Sequence, residues 1–181
     1  LYNLLVSAGV AHTDNGEFIL CGLVGVAGNV DAKADKAIKT LLILDAVRGI
    51  DSTGAAFIPN NGVPAVVKQI GNPYELFETR GFNTNLNKRN RAIIGHNRFA
   101  TQGEVNRKNA HPFEFDTLIG THNGTLTTKY LLDDPLEFKV DSENLYHHIE
   151  KNGIRDAMRV CSGAWSLVWW DKLTENLCFL R

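Results

Sequence analysis

The sequence predicts an α+β fold in which helices cover layered antiparallel sheets. Two runs of β-forming residues, 55–58 and 63–70, flank an Asn-Asn-Gly turn, which is typical of an antiparallel hairpin. Apolar residues recur at helical spacing between residues 31 and 48, and two adjacent helices are expected between residues 141 and 161. Hairpins that alternate with helices favour layered antiparallel sheets over a parallel doubly wound sheet.

The first elements are predicted to be a strand, a loop and a helix. The apolar run 20–27 suits a buried strand. Asp31 can cap a helix that continues to about Arg48, with Gly49 as the residue that ends it. The hairpin follows, and a polar stretch at 81–91 precedes the second half of the chain.

The second half is predicted to hold four more strands and two helices. Asp141 or Ser142 can cap a helix through Glu150, and a second helix spans 154–161. Strands are expected at 92–97, 117–122, 164–170 and 176–180. The first two of these strands end in polar residues, and such ends are where functional sites collect.

Composition and charge narrow the possible functions. With 181 residues, 44% of them apolar, the chain fits one globular domain with a substantial core. Lys and Arg total 19 against 20 Asp and Glu, so the net charge of -1 supplies no field that would gather nucleic acid. No apolar run reaches the roughly 20 residues of a membrane helix, and the first residues lack the pattern of a signal peptide.

The cysteines point to a reducing location. Cys21, Cys161 and Cys178 form no CxxC pair and leave an odd count, which disfavours a disulfide framework and a structural zinc site. We therefore expect a cytoplasmic protein. Because residue 1 is Leu rather than Met and the last predicted strand stops abruptly, we also expect more chain in the natural protein.

Cys21 is the first candidate for chemistry, although its simplest interpretation is a buried cysteine among small residues. It opens the segment Cys-Gly-Leu-Val-Gly-Val-Ala-Gly. The glycine spacing is G-x-x-G-x-x-G rather than the dinucleotide fingerprint G-x-G-x-x-G, and no Gly-Lys-Ser/Thr phosphate loop occurs. A nucleotide-binding interpretation is therefore disfavoured.

Four further segments carry polar residues near predicted element ends. Taken singly, each has an ordinary interpretation: a helix end at 48–54, polar loops at 95–103 and 109–112, and a turn at 121–125. Their occurrence together and in this order is far more specific than any one of them.

Together the segments resemble the class II glutamine amidotransferases, which are N-terminal-nucleophile hydrolases. The matching segments are Cys-Gly-Leu-Val-Gly from Cys21, Arg-Gly-Ile-Asp-Ser from Arg48, Gly-His-Asn-Arg-Phe-Ala-Thr-Gln-Gly from Gly95, Asn-Ala-His-Pro from Asn109, His-Asn-Gly from His122, Asp-Ser-Glu from Asp141 and Ser-Gly-Ala-Trp-Ser-Leu from Ser162. The pattern is similar above all to the glutaminase domain of glucosamine-6-phosphate synthase. The resemblance covers residues 21–181 and implies a four-layer αββα sandwich of two antiparallel sheets.

The resemblance implies hydrolysis of the side-chain amide of L-glutamine. This reaction needs a nucleophile, a base, donors for the tetrahedral oxyanion and groups that bind both charged ends of the amino acid. By the family pattern, Cys21 attacks the carbonyl, ammonia leaves, and water hydrolyses the resulting γ-glutamyl thioester. The side-chain amide of Asn123 and the backbone N–H of Gly124 would form the oxyanion hole.

Five further residues match substrate-binding positions of the family. Arg98 would bind the α-carboxylate through its planar fork of donors, a geometry that Lys does not reproduce. Asp141 would hold the α-ammonium group. Thr101 and Gln102 match positions that contact the substrate, and Arg48 lies near the nucleophile in relatives.

The chain departs from the family motif Thr-Arg-Trp-Ala-Thr-His-Gly, because Asn97, Phe99 and Gln102 replace Thr, Trp and His. Phe99 can still supply an aromatic lid, although closure over the substrate is expected to differ. Neither a cofactor nor a metal is implied. The histidines that lack metal-ligand spacing, and are expected to be structural or solvent-facing, are His111, His122, His147 and His148.

The general base poses a difficulty. In these hydrolases the α-amino group of the N-terminal cysteine acts as the base, and a free α-amine titrates near pH ~8. Here residues 1–20 precede Cys21, so its nitrogen is an amide. The segment 1–20 is then a propeptide removed before Cys21, an upstream extension or misassigned start, or the mark of an inactive form. The plainest view makes it an extra strand or a disordered arm.

Two other classes of function stay open at this point. A different N-terminal-nucleophile amidase would act on other amides, although Arg98 together with Asp141 argues against it. A non-catalytic regulatory module would keep the fold with a blocked cysteine. If the chain is a glutaminase, its ammonia would pass to an acceptor domain or a partner protein.

Overall fold

The structure is a computed structural model that describes residues 3–8, 11–12, 18–19, 21–28 and 30–181. Its strands are β1 (Asn3–Ala8), β2 (Ala11–His12), β3 (Phe18–Ile19), β4 (Gly22–Ala27), β5 (Ser52–Pro59), β6 (Ala65–Ile70), β7 (Asn90–Arg98), β8 (Phe113–Glu114), β9 (Leu118–Leu126), β10 (Gly163–Asp171) and β11 (Asn176–Leu180). Its helices are α1 (Ala32–Asp45), α2 (Pro73–Phe77), α3 (Arg80–Leu86), α4 (Asp141–Asn152) and α5 (Ile154–Val160), with 3-10 turns at Ala46–Arg48 and Lys129–Leu131.

Two antiparallel sheets form the centre of the described structure. Five strands pair in the order β1-β4-β7-β5-β6, and four pair in the order β11-β10-β9-β8. A small separate pair joins β2 to β3. These pairings are all antiparallel, which confirms the predicted α+β class.

Three apolar clusters separate the layers. Between the sheets, Leu23 of β4 belongs to one cluster with Val168 of β10. On the outer face of the five-stranded sheet, Val24 joins Ile38 of α1 in a second cluster, because neighbouring strand residues face opposite sides. On the outer face of the four-stranded sheet, Tyr146 of α4 lies in the third. The order is helix, sheet, sheet, helix, as in the predicted αββα sandwich.

The first helix begins as predicted but ends earlier. Asp31 is its cap, and the Asp31 carboxylate accepts hydrogen bonds from the backbone N–H groups of Lys33 and Ala34 at 2.9 and 3.0 Å. The α-helix stops at Asp45, and a 3-10 turn carries the chain on to Arg48. The predicted continuous helix to Arg48 is therefore corrected to a helix followed by a tighter turn.

The predicted hairpin and strands are present, and four strands, β5, β7, β9 and β10, are longer than predicted. β5 pairs with β6 across the Asn-Asn-Gly turn. β7 and β9 continue to Arg98 and Leu126, past the predicted ends at 97 and 122. Three candidate site residues, Arg98, Asn123 and Gly124, consequently lie within sheet strands, where backbone pairing fixes their positions.

The polar stretch 81–91, to which the sequence assigns no element, is largely helical. Most of it belongs to α3, which follows the short helix α2. The caps explain both helices: Asn72 accepts from the N–H of Tyr74 at 2.9 Å, and Thr79 accepts from the N–H of Phe82 at 3.2 Å. Each helix is too short for periodicity to reveal it, and burial of Phe82 holds α3 in place.

The cap of α4 also differs from the prediction. Asp141 is the first helical residue and Val140 occupies the cap position without a side-chain hydrogen bond. The Asp141 carboxylate instead accepts from the backbone N–H groups of Leu126, at 3.0 Å, and Ser142, at 2.9 Å. These two bonds tie the start of the helix to the end of β9.

Part of the segment before Cys21 is an edge strand. β1 pairs with β4 from Asn3 opposite Ala27 to Ala8 opposite Gly22. Leu20, whose bond to Cys21 would be cut in a propeptide, lies outside the described residues. The helices of the described ranges include none that is long and apolar enough to cross a bilayer.

Candidate active site

Cys21 lies immediately before β4 and is half-buried. Its backbone N–H donates to Oδ1 of Asn123 at 3.2 Å, although 102 residues separate the two along the chain. The backbone N–H of Phe99 lies 3.4 Å from the Cys21 Sγ and donates to it. The thiol therefore lies where the end of β7 meets β9, beside the predicted oxyanion residues.

The environment of Cys21 favours the neutral thiol. Burial raises its pKa to about 11, and the nearby carboxylates of Asp141 and Asp51 act in the same direction. The Phe99 N–H and the Arg98 charge lower the pKa but do not outweigh burial. Because the thiolate is the nucleophile, this cysteine needs a base that removes its proton.

Asn123 presents an unused donor group at this point. Its Oδ1 is occupied by the Cys21 N–H, whereas its Nδ2 is buried and donates to no group of the described residues. Buried amide donors are almost always paired, so an exception calls for a functional explanation. Gly124 follows with a φ of 144°, a conformation that favours glycine.

Arg98 is the last residue of β7 and is only 2% exposed. Its guanidinium donates to the carbonyls of Gln102 and Glu104, the latter at 3.2 Å. Burial lowers the pKa of Arg98, while Cys21 and Asp141 are among the groups that raise it. The guanidinium thus holds the loop after β7 and lies in the same electrostatic neighbourhood as the thiol.

Asp141 is the acidic member of the cluster and is 3% exposed. Its carboxylate is held by the N–H groups of Leu126 and Ser142. Ser142 Oγ in turn lies 2.8 Å from Nδ1 of His122, the residue before Asn123. The structure therefore brings together Cys21, Asn123, Arg98 and Asp141, which come from four separate segments.

The remaining predicted site residues lie around this cluster. Gln102 accepts from Nζ of Lys129 through its Oε1 at 3.0 Å. Thr101 is exposed on the same loop, and its hydroxyl has no hydrogen-bond partner within the described ranges. Arg48 forms an ion pair with Asp45, with 3.5 Å between Nε and Oδ1. The structure thus gives Gln102 and Arg48 protein partners and leaves Thr101 open to solvent.

Curated relatives of this chain are glutamine–fructose-6-phosphate aminotransferases (isomerizing). The protein of Bacillus licheniformis is 34% identical over 180 residues, which cover 89% of this chain and 28% of that protein. The protein of Bacillus subtilis is 32% identical over 180 residues with the same coverage, and that of Streptococcus pneumoniae strain R6 is 33% identical over 150 residues, 78% of this chain and 23% of that protein.

Over 89% of its length the chain is homologous to these glutamine aminotransferases. The resemblance predicted from the motifs is thereby confirmed. The chain spans about a quarter of the length of the curated relatives it matches. No model of a known protein family matches it.

The fold of this chain is shared with a solved structure. That structure is the allosteric regulatory enzyme of purine biosynthesis, with a TM-score of 0.65 and 24% sequence identity over 83% of this chain and 35% of that chain. At this identity the likeness concerns the fold, and it agrees with the αββα sandwich of two antiparallel sheets.

The departures from the amidotransferase motif have clear places in the structure. Asn97 is fully buried, donates to the carbonyl of Leu42 at 2.8 Å and accepts from Thr53 Oγ1 at 3.1 Å. It therefore ties β7 to α1 and β5. Phe99 is 44% exposed and contacts the Cys21 thiol through its backbone N–H, and its role as an aromatic lid stays a prediction.

Two residues of the motifs contribute contacts that sequence reasoning did not assign. Asp51 accepts from the N–H of Ala100 at 2.7 Å and so holds the chain just after Arg98. Gly49 approaches the same segment closely, because a Cβ there would lie 2.4 Å from the carbonyl carbon of Arg98 and from the nitrogen of Phe99. The segment Arg-Gly-Ile-Asp-Ser, through its resemblance to the family, was the available signal for both.

The histidines from His96 to His148 divide into a cluster around His96 and a pair on α4. His111 and His122 are buried, and burial lowers the pKa of each. His96 lies beside them, and its Nε2 must donate to the carbonyl of His122 at 3.1 Å. Burial lowers the pKa of His96 to about 3, so its ring is neutral.

His147 and His148 pair with carboxylates, and His148 is itself buried. His147 lies 2.9 Å from Asp134, and His148 lies 3.1 Å from Asp156 and 3.2 Å from Asp133. Across the described residues, no group of three or more His, Cys, Asp or Glu side chains could hold a metal ion.

Asp45 is a buried carboxylate that the sequence did not flag. A Cβ at Gly22 would lie 2.7 Å from the Asp45 Cβ, so the side chain occupies space that only glycine leaves open. Its Oδ2 has no hydrogen-bond partner among the described residues. Burial raises the pKa of Asp45 to about 6, although Arg48 and the Leu23 N–H favour the charged form.

The variant Asp45→Asn is expected to be more stable than the parent chain above pH 6 but not below pH 4. Because the folded-state pKa is raised from 3.8 to about 6, stability falls as pH rises through that interval and the carboxyl ionises. The gain in the free energy of unfolding at pH 8 should be on the order of 1–2 kcal/mol. One pKa unit corresponds to about 1.4 kcal/mol, and loss of the ion pair between Asp45 and Arg48 offsets part of the gain.

Thermal unfolding of both chains from pH 4 to pH 8 measures this difference. Asp116→Asn, which removes an exposed carboxylate, is the matched control. A stability difference for Asp45→Asn that is the same at every pH would contradict a raised pKa.

Proposed function

We propose that this domain hydrolyses L-glutamine to glutamate and ammonia through a γ-glutamyl thioester on Cys21. The observation that supports this most directly is the contact between Cys21 and Asn123. Oδ1 of Asn123 accepts a hydrogen bond from the Cys21 backbone N–H, and Nδ2 is a buried donor without a partner among the described residues. Sγ attacks the side-chain carbonyl, the C–N bond breaks and ammonia leaves. Water then attacks the thioester and releases glutamate with the thiol restored.

We assign the oxyanion hole to Asn123 and Gly124. The tetrahedral intermediate places negative charge on the former carbonyl oxygen, and fixed N–H donors stabilise it without reorganisation. The free Nδ2 of Asn123 fits this role, because its partner atom Oδ1 is already fixed by the Cys21 N–H. The backbone N–H of Gly124 is the second donor of the proposal.

We assign recognition of the amino acid to Arg98 and Asp141. Arg98 has five N–H donors, of which the carbonyls of Gln102 and Glu104 take two, and the others are available for an α-carboxylate. Asp141 carries the opposite charge nearby and would accept from the α-ammonium group. This pair selects free glutamine over glutamine within a peptide. Thr101, Gln102 and Arg48 are proposed as supporting contacts around the substrate.

We further propose that Cys21 acts only when it is the first residue. An α-amine with a pKa near ~8 can take the thiol proton, whereas the amide that follows residues 1–20 cannot. Residues 21–181 are then the amidotransferase domain, and residues 1–20 are a propeptide or extension that must be cut before Cys21. Free cysteines and this thiol chemistry suit a reducing cytoplasm.

The ammonia acceptor is proposed to lie on another domain or on a partner protein. The relatives are named for glutamine and fructose 6-phosphate, and the part that this chain matches is about a quarter of their length. Ammonia released at Cys21 would pass from this domain to such an acceptor.

The proposal is tested by ammonia release from glutamine with a chain cleaved before Cys21. The cleaved chain with its natural Cys21 is expected to be active. The same cleaved chain with Cys21→Ala is expected to retain no measurable activity, because the reaction loses its nucleophile. Asparagine and N-acetylglutamine are expected to be poor substrates. Asparagine is one methylene shorter, so its amide does not match the distance from Arg98 and Asp141 to Cys21. N-acetylglutamine lacks the positive charge that Asp141 would hold.

Alkylation by diazo-oxo-norleucine separates the alternatives. Labelling of Cys21 in the cleaved chain supports a glutamine site. Lack of both labelling and activity in a folded, cleaved chain would favour a non-catalytic module, and activity on N-acetylglutamine equal to that on glutamine would favour a different amidase.

A further inference from the structure

A second cleft lies away from Cys21, between the edge strand β6, the segment that leads into β8 and the first turn of α4. Its volume is about 490 Å³, within the usual range of roughly 300–1,000 Å³ for sites that bind small molecules. The side chains that matter for binding are Lys68, Arg107, Lys108, Phe113, Glu114 and Glu143. The cleft shares no lining residue with the proposed glutamine site.

Lys68 is the most unusual group of this cleft. Its Nζ lies 4.7 Å from the centre of the Phe113 ring, and no group of the described residues forms a hydrogen bond or ion pair with it. Burial lowers the pKa of Lys68 to about 8, against the opposing effect of Glu143 and Glu114. A partly desolvated ammonium group without an acceptor is unfavourable, so an anion placed here would be stabilised.

The other charged groups leave the cleft with excess positive charge. Arg107 donates to the neutral Gln69 Oε1 at 2.5 Å. Glu114 is already paired with Lys172, which lies at 3.0 Å. Glu143, which lies near Lys108 and Lys68, is then the remaining carboxylate of the cleft lining. It can balance one of the three positive charges of Lys68, Arg107 and Lys108, so two stay unbalanced.

We propose that this cleft binds a phosphate monoester, with Lys68, Arg107 and Lys108 around the phosphoryl group and Phe113 beneath it. A phosphate monoester carries about 1.5 to 2 negative charges near neutral pH, which matches the two unbalanced cations, whereas a monocarboxylate carries one. The planar fork of Arg107 suits two phosphoryl oxygens at once. Val66 and Pro112 provide apolar walls for the organic part of the ligand.

The test is isothermal titration calorimetry of the full chain at low ionic strength, with inorganic phosphate, phenyl phosphate and acetate as probes. Saturable binding of both phosphates is expected, with acetate at least about tenfold weaker. Lys68→Met keeps the apolar stem over Phe113 and should weaken phosphate binding by about tenfold or more. Lys36→Met, on the exposed face of α1, is the matched control and should leave binding unchanged.

Arg107→Gln is a second variant, and because Arg107 is exposed the change should not affect folding. It should weaken the binding of inorganic phosphate and of phenyl phosphate by a similar factor. The affinity for phosphate should fall above pH 8, where Lys68 loses its proton. The charged groups that line the cleft with Lys68 are Arg107, Lys108, Glu114 and Glu143. The affinity should also fall below pH ~6, where the monoester takes up a proton. No saturable phosphate binding, equal binding of acetate, or an equal effect of Lys36→Met would each overturn the proposal.

Discussion

A chain that begins at Cys21 is expected to release ammonia from glutamine about 10²–10⁴ times faster than the 181-residue chain, which is the usual contribution of a general base. In the longer chain the Cys21 nitrogen is an amide that donates to Asn123, so it has no lone pair for the thiol proton. The thiol itself, with a pKa of about 11, is almost entirely protonated near neutral pH. Activity of the shorter chain should rise through pH ~8 as its α-amine loses a proton.

The experiment needs two versions of the free cysteine, because β1 occupies the edge beside β4. In a nicked version, an engineered protease site is cut directly before Cys21 and residues 1–20 stay present as a separate peptide. In a trimmed version, the chain is produced from Cys21 onward. Equal activity of both would show that the β1 pairing is dispensable, whereas activity of the nicked version alone would show that this strand supports the fold.

Mass spectrometry must accompany the assay, because slow cleavage during purification would resemble activity of the intact chain. Full activity in a chain whose Leu20–Cys21 bond is intact would contradict the assignment of the α-amine as the base. Cys21→Ala in the nicked version is the control for contaminating glutaminases.

The sequence predicted the residues that the structure brings together at the site better than the contacts that hold them in place. The motifs indicated Cys21, Arg98, Asn123 and Asp141, since the residue types required for the reaction stand at recognisable positions. The support given by Asp51 to the loop after Arg98 depends on a contact between residues 49 positions apart, which no local pattern reveals. Such partners become visible only when the sheets are assembled.

The errors in the fold have a similar physical origin. α2 and α3 are five and seven residues long, which is less than the length over which helical periodicity can be recognised. Their signals are the caps at Asn72 and Thr79. The burial of Asp45 depends on Gly22, which leaves room for a carboxylate that composition alone would place at the surface. Local pattern predicted the long elements, and tertiary packing decided the short ones.

The free amide donor of Asn123 is the feature of the site with the next largest expected effect. In a chain cleaved before Cys21, Asn123→Ala should lower kcat by about 10²–10³, or about 2.7–4 kcal/mol of transition-state stabilisation. KM should change much less, because the donor is needed for charge that develops after substrate has bound. Asn123→Asp should be comparably slow, since a carboxylate can still accept from the Cys21 nitrogen but cannot donate to an oxyanion.

Asn90→Ala is the matched control for this prediction, because Asn90 is another buried asparagine and lies at the end of β7 away from Arg98. Its side-chain amide donates to the carbonyl of Asn85 at 3.0 Å. Its loss should lower the melting temperature and leave kcat unchanged. Steady-state kinetics and thermal unfolding of all three variants separate catalysis from stability. If Asn123→Ala raises KM while kcat is preserved, Asn123 contributes to substrate binding and the oxyanion must be stabilised by other donors. A loss of kcat at unchanged KM in both folded variants supports transition-state stabilisation, because Asn123→Asp keeps the acceptor for the Cys21 nitrogen and loses only the donor.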